Sequence, residues 1–137
     1  MNRVDLQILT DDRVADATAL LEAGRWAAAY YLLGYAIECA LKVCIAERFR
    51  EHEIPEKSLL NDFYTHRLDK LVLTAAKDEF VKKTAIAPEF QENWDIIDKW
   101  TEASRYDHAI TESKARDLHR AVCDPERGVL AWLKTLW

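Results

Sequence analysis

Histidines and cysteines are the residues of this 137-residue sequence with the most obvious chemistry. His52 and His66 have no cysteine and no second histidine at the spacing that zinc ligands use, so we expect no metal site. The cysteines are odd in number and lie in helix-like surroundings, which indicates reduced thiols; they are Cys39, Cys44 and Cys123. The sequence contains no glycine-rich phosphate loop and no Gly-x-Ser-x-Gly elbow, so we also expect no cofactor.

Two other histidines follow an arginine closely. Arg105 precedes His108, and Arg116 precedes His119, with two residues in each gap. A histidine can act as a general acid or base on a ribose hydroxyl, while an arginine stabilises the charge that develops on a phosphate. Asp107 lies between Arg105 and His108 and would compete for the arginine. Arg105 and His108 are candidate catalytic residues on this chemistry.

A row of basic residues on the last predicted helix is a candidate phosphate-binding surface. Arg116, His119 and Arg120, with Arg127 beyond them, lie opposite the apolar face of that helix. Acidic residues dilute the row, because residues 105–127 contain five Lys or Arg and five Asp or Glu. A solvated face of an amphipathic helix is the alternative interpretation, and the balance of charge favours it.

One charged pair lies inside the apolar segment "AYYLLGYAIECALK". Glu38 and Lys42 are four residues apart with the acid first, the order that lets them meet on a helix surface and gain roughly 0.2–0.5 kcal/mol. We interpret the two residues as a structural ion pair at the edge of a bundle.

The elements that must position these residues are predicted to be helices. The chain has only three glycines and three prolines, so closely spaced strands are implausible and the fold class is predicted to be all-α. The first helix is predicted to begin at Thr10 or Asp11 and to end at Ala23, where Gly24 supplies the stop.

The second predicted helix, from Arg25 to about Arg50, is apolar nearly all round. Trp26 begins its stripe of residues three or four apart. We therefore expect Trp26 to be largely buried and Trp26→Ala to cost about 3–5 kcal/mol. A helix of this kind must be covered on more than one side, either by several neighbouring helices or by a second subunit, and we predict a homodimer.

The middle of the chain predicts two further helices. Residues around Pro55 are predicted to form a connection with at most one short turn. A third helix is predicted to begin at a cap on Thr65, and a fourth at Pro88, a residue that suits the first helical position.

The last helix is predicted to begin near Thr111. Its apolar residues keep one phase across Pro125, which favours a single kinked helix, although Asp124 and Pro125 would also suit the start of a new one. Together these elements predict a single domain over residues 1–137, an up-and-down bundle of four to five helices.

Charge and hydropathy restrict the partners of this bundle. A net charge of −5 makes indiscriminate nucleic-acid binding by the whole surface implausible, but it leaves room for a local basic patch. The first residues carry charges where a signal peptide needs an apolar region, and no uncharged apolar run approaches the roughly 20 residues of a membrane span. With the reduced cysteines, these features predict a cytoplasmic protein without a membrane partner.

Three segments of the chain, "LLEAGRWAAAYYLLGYAIECALKVCIAERF", "YTHRLDKLV" and "WTEASRYDHA", resemble the HEPN domain. This is a family of small helical-bundle proteins found in prokaryotic toxin–antitoxin and defence systems. The resemblance implies a dimer that binds RNA or a nucleotide, or that has a nucleotidyltransferase or another antitoxin as partner. It also implies a metal-independent ribonuclease site whose signature is an arginine and a histidine with four to six residues between them.

The present sequence departs from that signature, because each of its arginine–histidine pairs has only two residues between its members. We therefore expect a HEPN-like homodimer that binds RNA, a nucleotide or a protein partner without the usual ribonuclease activity. Arg105 lies where the family's loop before the last helix would fall. A metal-independent endoribonuclease that uses Arg105 and His108 is therefore the alternative.

A second resemblance gives another alternative. The segment "ATALLEAGRWAAAYYLLGYAIECALK" resembles one tetratricopeptide helical hairpin, which would make the chain a peptide-binding adaptor. Such repeats recur every 34 residues and need about three copies to bury a continuous core, and no second copy is visible here. A bundle would close on itself, whereas a repeat hairpin would leave a concave groove.

Overall fold

Helices form all of the regular structure of this chain, which confirms the all-α prediction. The computed structural model describes residues 1–137. The α-helices are α1 (Arg3–Glu22), α2 (Trp26–Ala46), α3 (Lys57–Phe63), α4 (Leu68–Ile86), α5 (Pro88–Asp98), α6 (Glu112–Cys123) and α7 (Val129–Lys134). A short 3₁₀ helix, Glu102–Tyr106, lies between α5 and α6.

The central element is α2, which contacts α1, α4, α6, α7 and the 3₁₀ helix. Most of its apolar residues are therefore buried by neighbouring helices of the same chain, although Tyr31, Leu32 and Tyr35 are only partly buried. It is long and apolar enough to cross a membrane, but 72% of its most apolar window is buried within the fold. This is the environment of a core helix. The helices close around the α1–α2 hairpin, as expected of a bundle and unlike an open repeat.

The α1–α2 turn has the predicted glycine stop. Gly24 has a φ of +73°, which glycine adopts without strain. Its N–H donates to the Leu21 carbonyl at 3.1 Å, and the Arg25 N–H donates to the Leu20 carbonyl at 2.8 Å. These two hydrogen bonds satisfy carbonyls at the end of α1 and turn the chain directly into α2.

The predicted start of α1 at Thr10 or Asp11 is wrong. The helix begins at Arg3, after a capping box in which the Asn2 side chain accepts from the Asp5 N–H at 3.0 Å and the Asp5 carboxylate accepts from the Asn2 N–H at 2.8 Å. The hydrophobic pattern hid this first part of the helix because Val4 and Ile8 are exposed.

Helix α5 begins at Pro88 as predicted, and its apolar stripe is buried. Trp100, just beyond its end, lies flat against Gly34 of α2. A Cβ atom at Gly34 would come within 2.1 Å of the indole ring, so only glycine permits this contact. The segment after Trp100 then turns into the 3₁₀ helix, which brings Glu102 and Arg105 close to α2.

The predicted cap at Thr65 is shifted. Helix α4 begins at Leu68, and the Thr65 hydroxyl accepts a hydrogen bond from the Arg67 N–H at 3.2 Å in the turn before it. His66 lies in that turn. The preceding connection contains one short helix, α3, as the sequence allowed. Within α4 the backbone is bent at Ala76, where φ is −160° and ψ is 56°.

The prediction of one kinked helix across Pro125 is wrong. Helix α6 is capped by Thr111 at its start and ends at Cys123, and α7 begins at Val129. The Asp124 carboxylate accepts from the N–H groups of Glu126 and Arg127 at 2.9 and 2.8 Å, which stabilises a turn in place of a continuing helix.

Candidate functional site

A buried carboxylate lies at the centre of the most polar part of the interior. The Glu38 side chain is only 2% exposed. Its Oε1 atom accepts from Lys42 Nζ at 3.0 Å and lies 2.8 Å from His66 Nδ1, whereas its Oε2 atom has no hydrogen-bond partner. The structure thus brings Glu38 and Lys42 together, but inside the bundle and not at its edge. Burying a carboxylate is costly unless it is paired, so Lys42 and His66 both stabilise it.

His66 is a site residue that sequence reasoning missed. It is half exposed, and Glu38 fixes its orientation from the buried side. Because the Glu38 carboxylate can only accept, Nδ1 carries a proton, and Nε2 is directed towards Glu102, whose Oε2 atom is 3.4 Å away. Nε2 donates to that carboxylate when the ring carries a proton on both nitrogens. The only signal in the sequence was its position within the segment "YTHRLDKLV", because its partner Glu38 is 28 residues away.

Glu102 joins His66 to Arg105. One oxygen of its carboxylate, Oε2, faces His66 Nε2, while the other, Oε1, lies 3.2 Å from Arg105 Nη1. The Glu102 side chain is about one third exposed, at 32%. Basic and acidic side chains thus alternate along a line from the interior to the surface: Lys42, Glu38, His66, Glu102 and Arg105.

Arg105 lies in a cleft of about 560 Å³ between the α1–α2 turn and the loop after the 3₁₀ helix. We call this the aromatic cleft and define it by its aromatic and basic lining residues: Arg25, Trp26, Tyr31, Arg105, Tyr106 and His108. The guanidinium of Arg105 lies 4.8 Å from the centre of the Tyr106 ring. Tyr31 stacks on Trp100 with 6.0 Å between ring centres.

Trp26 packs against the hydrophobic core and also lines the aromatic cleft. Its side chain is only partly buried because it forms one wall of the aromatic cleft, where the guanidinium of Arg116 lies 5.2 Å from the ring centre. A cation over an indole face is a favourable contact. The stripe that begins at Trp26 becomes fully buried one turn later, at Tyr30 and Leu33.

The candidate catalytic residues Arg105 and His108 both line the aromatic cleft. They make no hydrogen bond or ion pair with each other, and His108 is exposed. The expectation that Asp107 would compete with His108 for Arg105 is wrong, because a different acidic residue pairs with Arg105. The Asp107 carboxylate accepts from the Ala109 N–H at 2.9 Å, and Glu102 is the acid that pairs with Arg105.

The candidate phosphate-binding row on α6 is neutralised by its own neighbours. Arg116 pairs with Glu112 at 3.3 Å, and Arg120 forms a short ion pair with Asp117. His119 is partly buried, with Nε2 3.1 Å from the Thr18 hydroxyl of α1. Its burial, together with the nearby Arg116, lowers the pKa of His119 below its ordinary value.

A second cleft, of about 420 Å³, lies on the other side of Glu102. We call it the acidic cleft; its charged and titratable lining residues are His66, Arg67, Asp69, Asp98 and Glu102. Arg67 donates to both carboxylate oxygens of Asp69 at 3.2 and 2.7 Å. Burial, with Asp69 nearby, raises the pKa of Asp98. Glu102 therefore faces the acidic cleft while it binds an arginine of the aromatic cleft.

The cysteines and possible metal ligands do not add a second site. Burial raises the pKa of the Cys39, Cys44 and Cys123 thiols to about 11, so they stay protonated and are poor nucleophiles at neutral pH. No group of three or more His, Cys, Asp or Glu side chains is arranged to hold a metal ion.

No protein-family model, curated protein or solved structure matches this chain.

Proposed function

We propose that this chain is a HEPN-like module that binds single-stranded RNA in the aromatic cleft. The observation that carries the proposal is the combination, in one open cleft, of three aromatic side chains with basic ones. Single-stranded RNA is recognised by stacking of its bases on aromatic rings and by contacts of its phosphates with arginine and lysine.

The aromatic side chains supply the stacking surfaces. Trp26 is partly exposed and Tyr106 is 75% exposed, so part of each ring is accessible to a ligand. Stacking of a base on such a ring is worth about 1–3 kcal/mol and tolerates different sequences. Tyr31 is held deeper, between Tyr35 and Trp100, and forms the floor.

The basic side chains supply the charge. Arg25 and Arg105 lie around the rings, where Asp107 is the one acidic lining residue, and the whole chain is acidic. Few phosphates can then be contacted, and the affinity should depend only modestly on salt, with a slope of about −0.7 per phosphate for a single strand. The guanidinium of Arg105 can present two N–H groups to one phosphate.

The resemblance to the HEPN domain extends the proposal. The module would act as a cytoplasmic homodimer in a toxin–antitoxin or defence system, with a nucleotidyltransferase or another antitoxin as its protein partner. Since most apolar residues of α2 are buried within one chain, a dimer would use other apolar residues. Those exposed on α1 and α4 are Val4, Ile8, Leu73, Val81 and Ile86.

Fluorescence anisotropy with a labelled single-stranded RNA tests RNA binding. We expect Trp26→Ala and Tyr106→Ala each to weaken binding at least fivefold, the lower bound for losing one stacked base. The matched control is Arg127→Ala, which removes a cation that pairs with Glu89 away from this cleft. Equal affinity of wild type and both aromatic variants, or no binding by the wild type at low salt, would contradict the proposal.

A second candidate function is metal-independent RNA cleavage by Arg105 and His108. Their position in the same cleft favours it. In this function His108 would remove the proton of the ribose 2′-hydroxyl, whose oxygen attacks the adjacent phosphorus while Arg105 stabilises the charge on the phosphorane. The bond to the 5′-oxygen of the next nucleotide then breaks, which leaves a 2′,3′-cyclic phosphate, and that 5′-oxygen takes a proton from His108 or water. The two residues make no hydrogen bond or ion pair with each other, and their spacing departs from the family's signature, which favours binding over cleavage.

A further inference from the structure

The side chains of His66 and Arg105, which are far apart in the sequence, both lie close to the Glu102 carboxylate. His66 Nε2 lies 3.4 Å from one oxygen of Glu102, and Arg105 Nη1 lies 3.2 Å from the other. A carboxylate and a phosphate both present neighbouring acceptor oxygens, and an arginine binds either of them well. The arrangement around Glu102 is therefore suited to a phosphate group.

We propose that His66 and Arg105 form an anion-binding site that the Glu102 carboxylate fills in the free protein and a phosphate of the ligand fills in the complex. The proposal rests on the proposed function for the source of the phosphate, a phosphodiester of single-stranded RNA. It adds His66 to the ligand-binding residues and makes Glu102 an internal competitor.

His66 is held ready for this role. Its Nδ1 atom is 2.8 Å from the buried Glu38 carboxylate, which Lys42 holds from the other side at 3.0 Å. The ring therefore keeps its orientation whether Glu102 or a phosphate occupies the site. Because Nδ1 donates to Glu38, Nε2 can donate to an anion only when the ring carries a proton on both nitrogens, so the site uses the imidazolium form of His66.

Glu102 can leave without disturbing the core. Its side chain is 32% exposed, and the 3₁₀ helix that carries it has no buried residue. Partly exposed ion pairs are individually weak, so a charged ligand can replace them. The acidic cleft beyond Glu102 gives the displaced side chain room, since this residue already lines it.

The other charged groups near the site favour a single phosphate over a long track. Asp69 and Asp98 line the acidic cleft, and Asp69 neutralises Arg67. An RNA chain entering this cleft would meet negative charge. We therefore place the bases in the aromatic cleft, with one phosphate between Arg105 and His66.

The test compares Glu102→Gln with Glu89→Gln, which removes an equivalent carboxylate from an exposed pair with Arg127. Removing the competitor should strengthen RNA binding roughly three- to tenfold, while Glu89→Gln should match the wild type. Adding His66→Asn to Glu102→Gln should cancel the gain. Asparagine keeps an N–H group near Glu38 but is too short to reach the phosphate.

A second readout is independent of RNA. In NMR titrations with inorganic phosphate, the His66 ring signals of Glu102→Gln should shift at lower phosphate concentration than those of the wild type, and the exposed His52 should serve as the reference. A shift without RNA binding would support the anion site and contradict RNA as its source.

The outcomes separate the two proposals. If Trp26→Ala weakens RNA binding but Glu102→Gln behaves like Glu89→Gln, and phosphate leaves His66 unchanged, RNA binding stands and the anion site is wrong. If no variant binds RNA and phosphate does not shift His66, both are wrong.

Discussion

Lys42 shows what a buried charge costs at the scale of one residue. It is the only lysine or arginine paired with the nearly inaccessible Glu38 carboxylate. Lys42→Met keeps much of the side-chain volume but leaves that carboxylate with His66 alone. We expect a loss of about 3 kcal/mol in the free energy of unfolding, the lower end for breaking a buried pair.

Urea denaturation measures this loss, and Arg120→Met is the matched control. Arg120 pairs with Asp117 on the exposed face of α6, where an ion pair is worth about 0–1 kcal/mol. If the two variants lost the same stability, the burial of Glu38 would have no energetic consequence and the interpretation would fail.

His119 makes the stability depend on pH. Burial lowers its pKa in the folded state below the ordinary value of 6.5, so the unfolded chain binds the proton first as pH falls. The folded state should therefore lose stability as pH drops below about 6.5. His119→Gln should remove that part of the loss, whereas His52→Asn, at an exposed position, should not. Thermal unfolding at a series of pH values around and below 6.5 measures this effect. If the stability of wild type and His119→Gln depended on pH in the same way, the prediction would be contradicted.

RNA cleavage is the third expectation at the residue scale. We predict no cleavage of single-stranded RNA, with or without EDTA, because Arg105 and His108 lack the family's spacing and make no hydrogen bond or ion pair with each other. Cleavage that persisted in EDTA, left a 2′,3′-cyclic phosphate and disappeared in Arg105→Ala and His108→Ala would establish the endoribonuclease alternative. General acid–base catalysis of this kind contributes typically about 10²–10⁴ in rate.

The sequence predicted the residue pairs that are close in the chain and missed the distant ones. Glu38 and Lys42 are one helical turn apart, so spacing alone predicted their contact. His66 reaches Glu38 only because α4 packs on α2, and Glu102 reaches His66 only because the chain turns after α5. Nothing in the local pattern encodes these tertiary contacts.

At the scale of elements, Gly34 controls how closely the α5 end approaches α2. A Cβ atom there would lie 2.1 Å from the buried Trp100 ring. Gly34→Ala should therefore cost about 1–3 kcal/mol from overpacking, even though alanine gains up to about 1 kcal/mol in helix propensity.

Gly24→Ala is the comparison for that variant. Gly24 has open space around it, with Trp26 3.7 Å away, and only its φ of +73° is unfavourable for alanine. It should cost about 1–2 kcal/mol from backbone strain alone. Near-ultraviolet circular dichroism should change for Gly34→Ala, because Trp100 must move, and should stay unchanged for Gly24→Ala. An unchanged spectrum and stability for Gly34→Ala would contradict the close packing of Trp100.

Helix ends were predictable where a single residue determines them. Gly24 and Pro88 lie at the predicted positions because glycine permits a positive φ and proline suits the first turn. The start of α1 was missed because its first apolar residues face solvent. The break at Asp124 was missed because Val129 and Leu133 still return to the core in the same phase.

At the scale of the whole molecule, composition predicted the all-α class, whereas self-association remains a prediction. Most apolar residues of α2 are buried by helices of the same chain. We still expect a dimer at tens of micromolar, from the resemblance to the HEPN domain and the exposed apolar residues of α1 and α4. A monomer mass by light scattering would contradict the dimer and leave RNA binding intact.

RNA binding in the aromatic cleft is the central claim, and NMR of the tryptophan indole groups tests it most directly. The chain has five tryptophans, of which Trp26 lines the cleft and Trp94 is buried in the core. Titration with a single-stranded RNA should shift the indole N–H signal of Trp26 progressively and leave that of Trp94 in place. Binding that leaves the Trp26 signal unchanged would place the ligand elsewhere and contradict the claim.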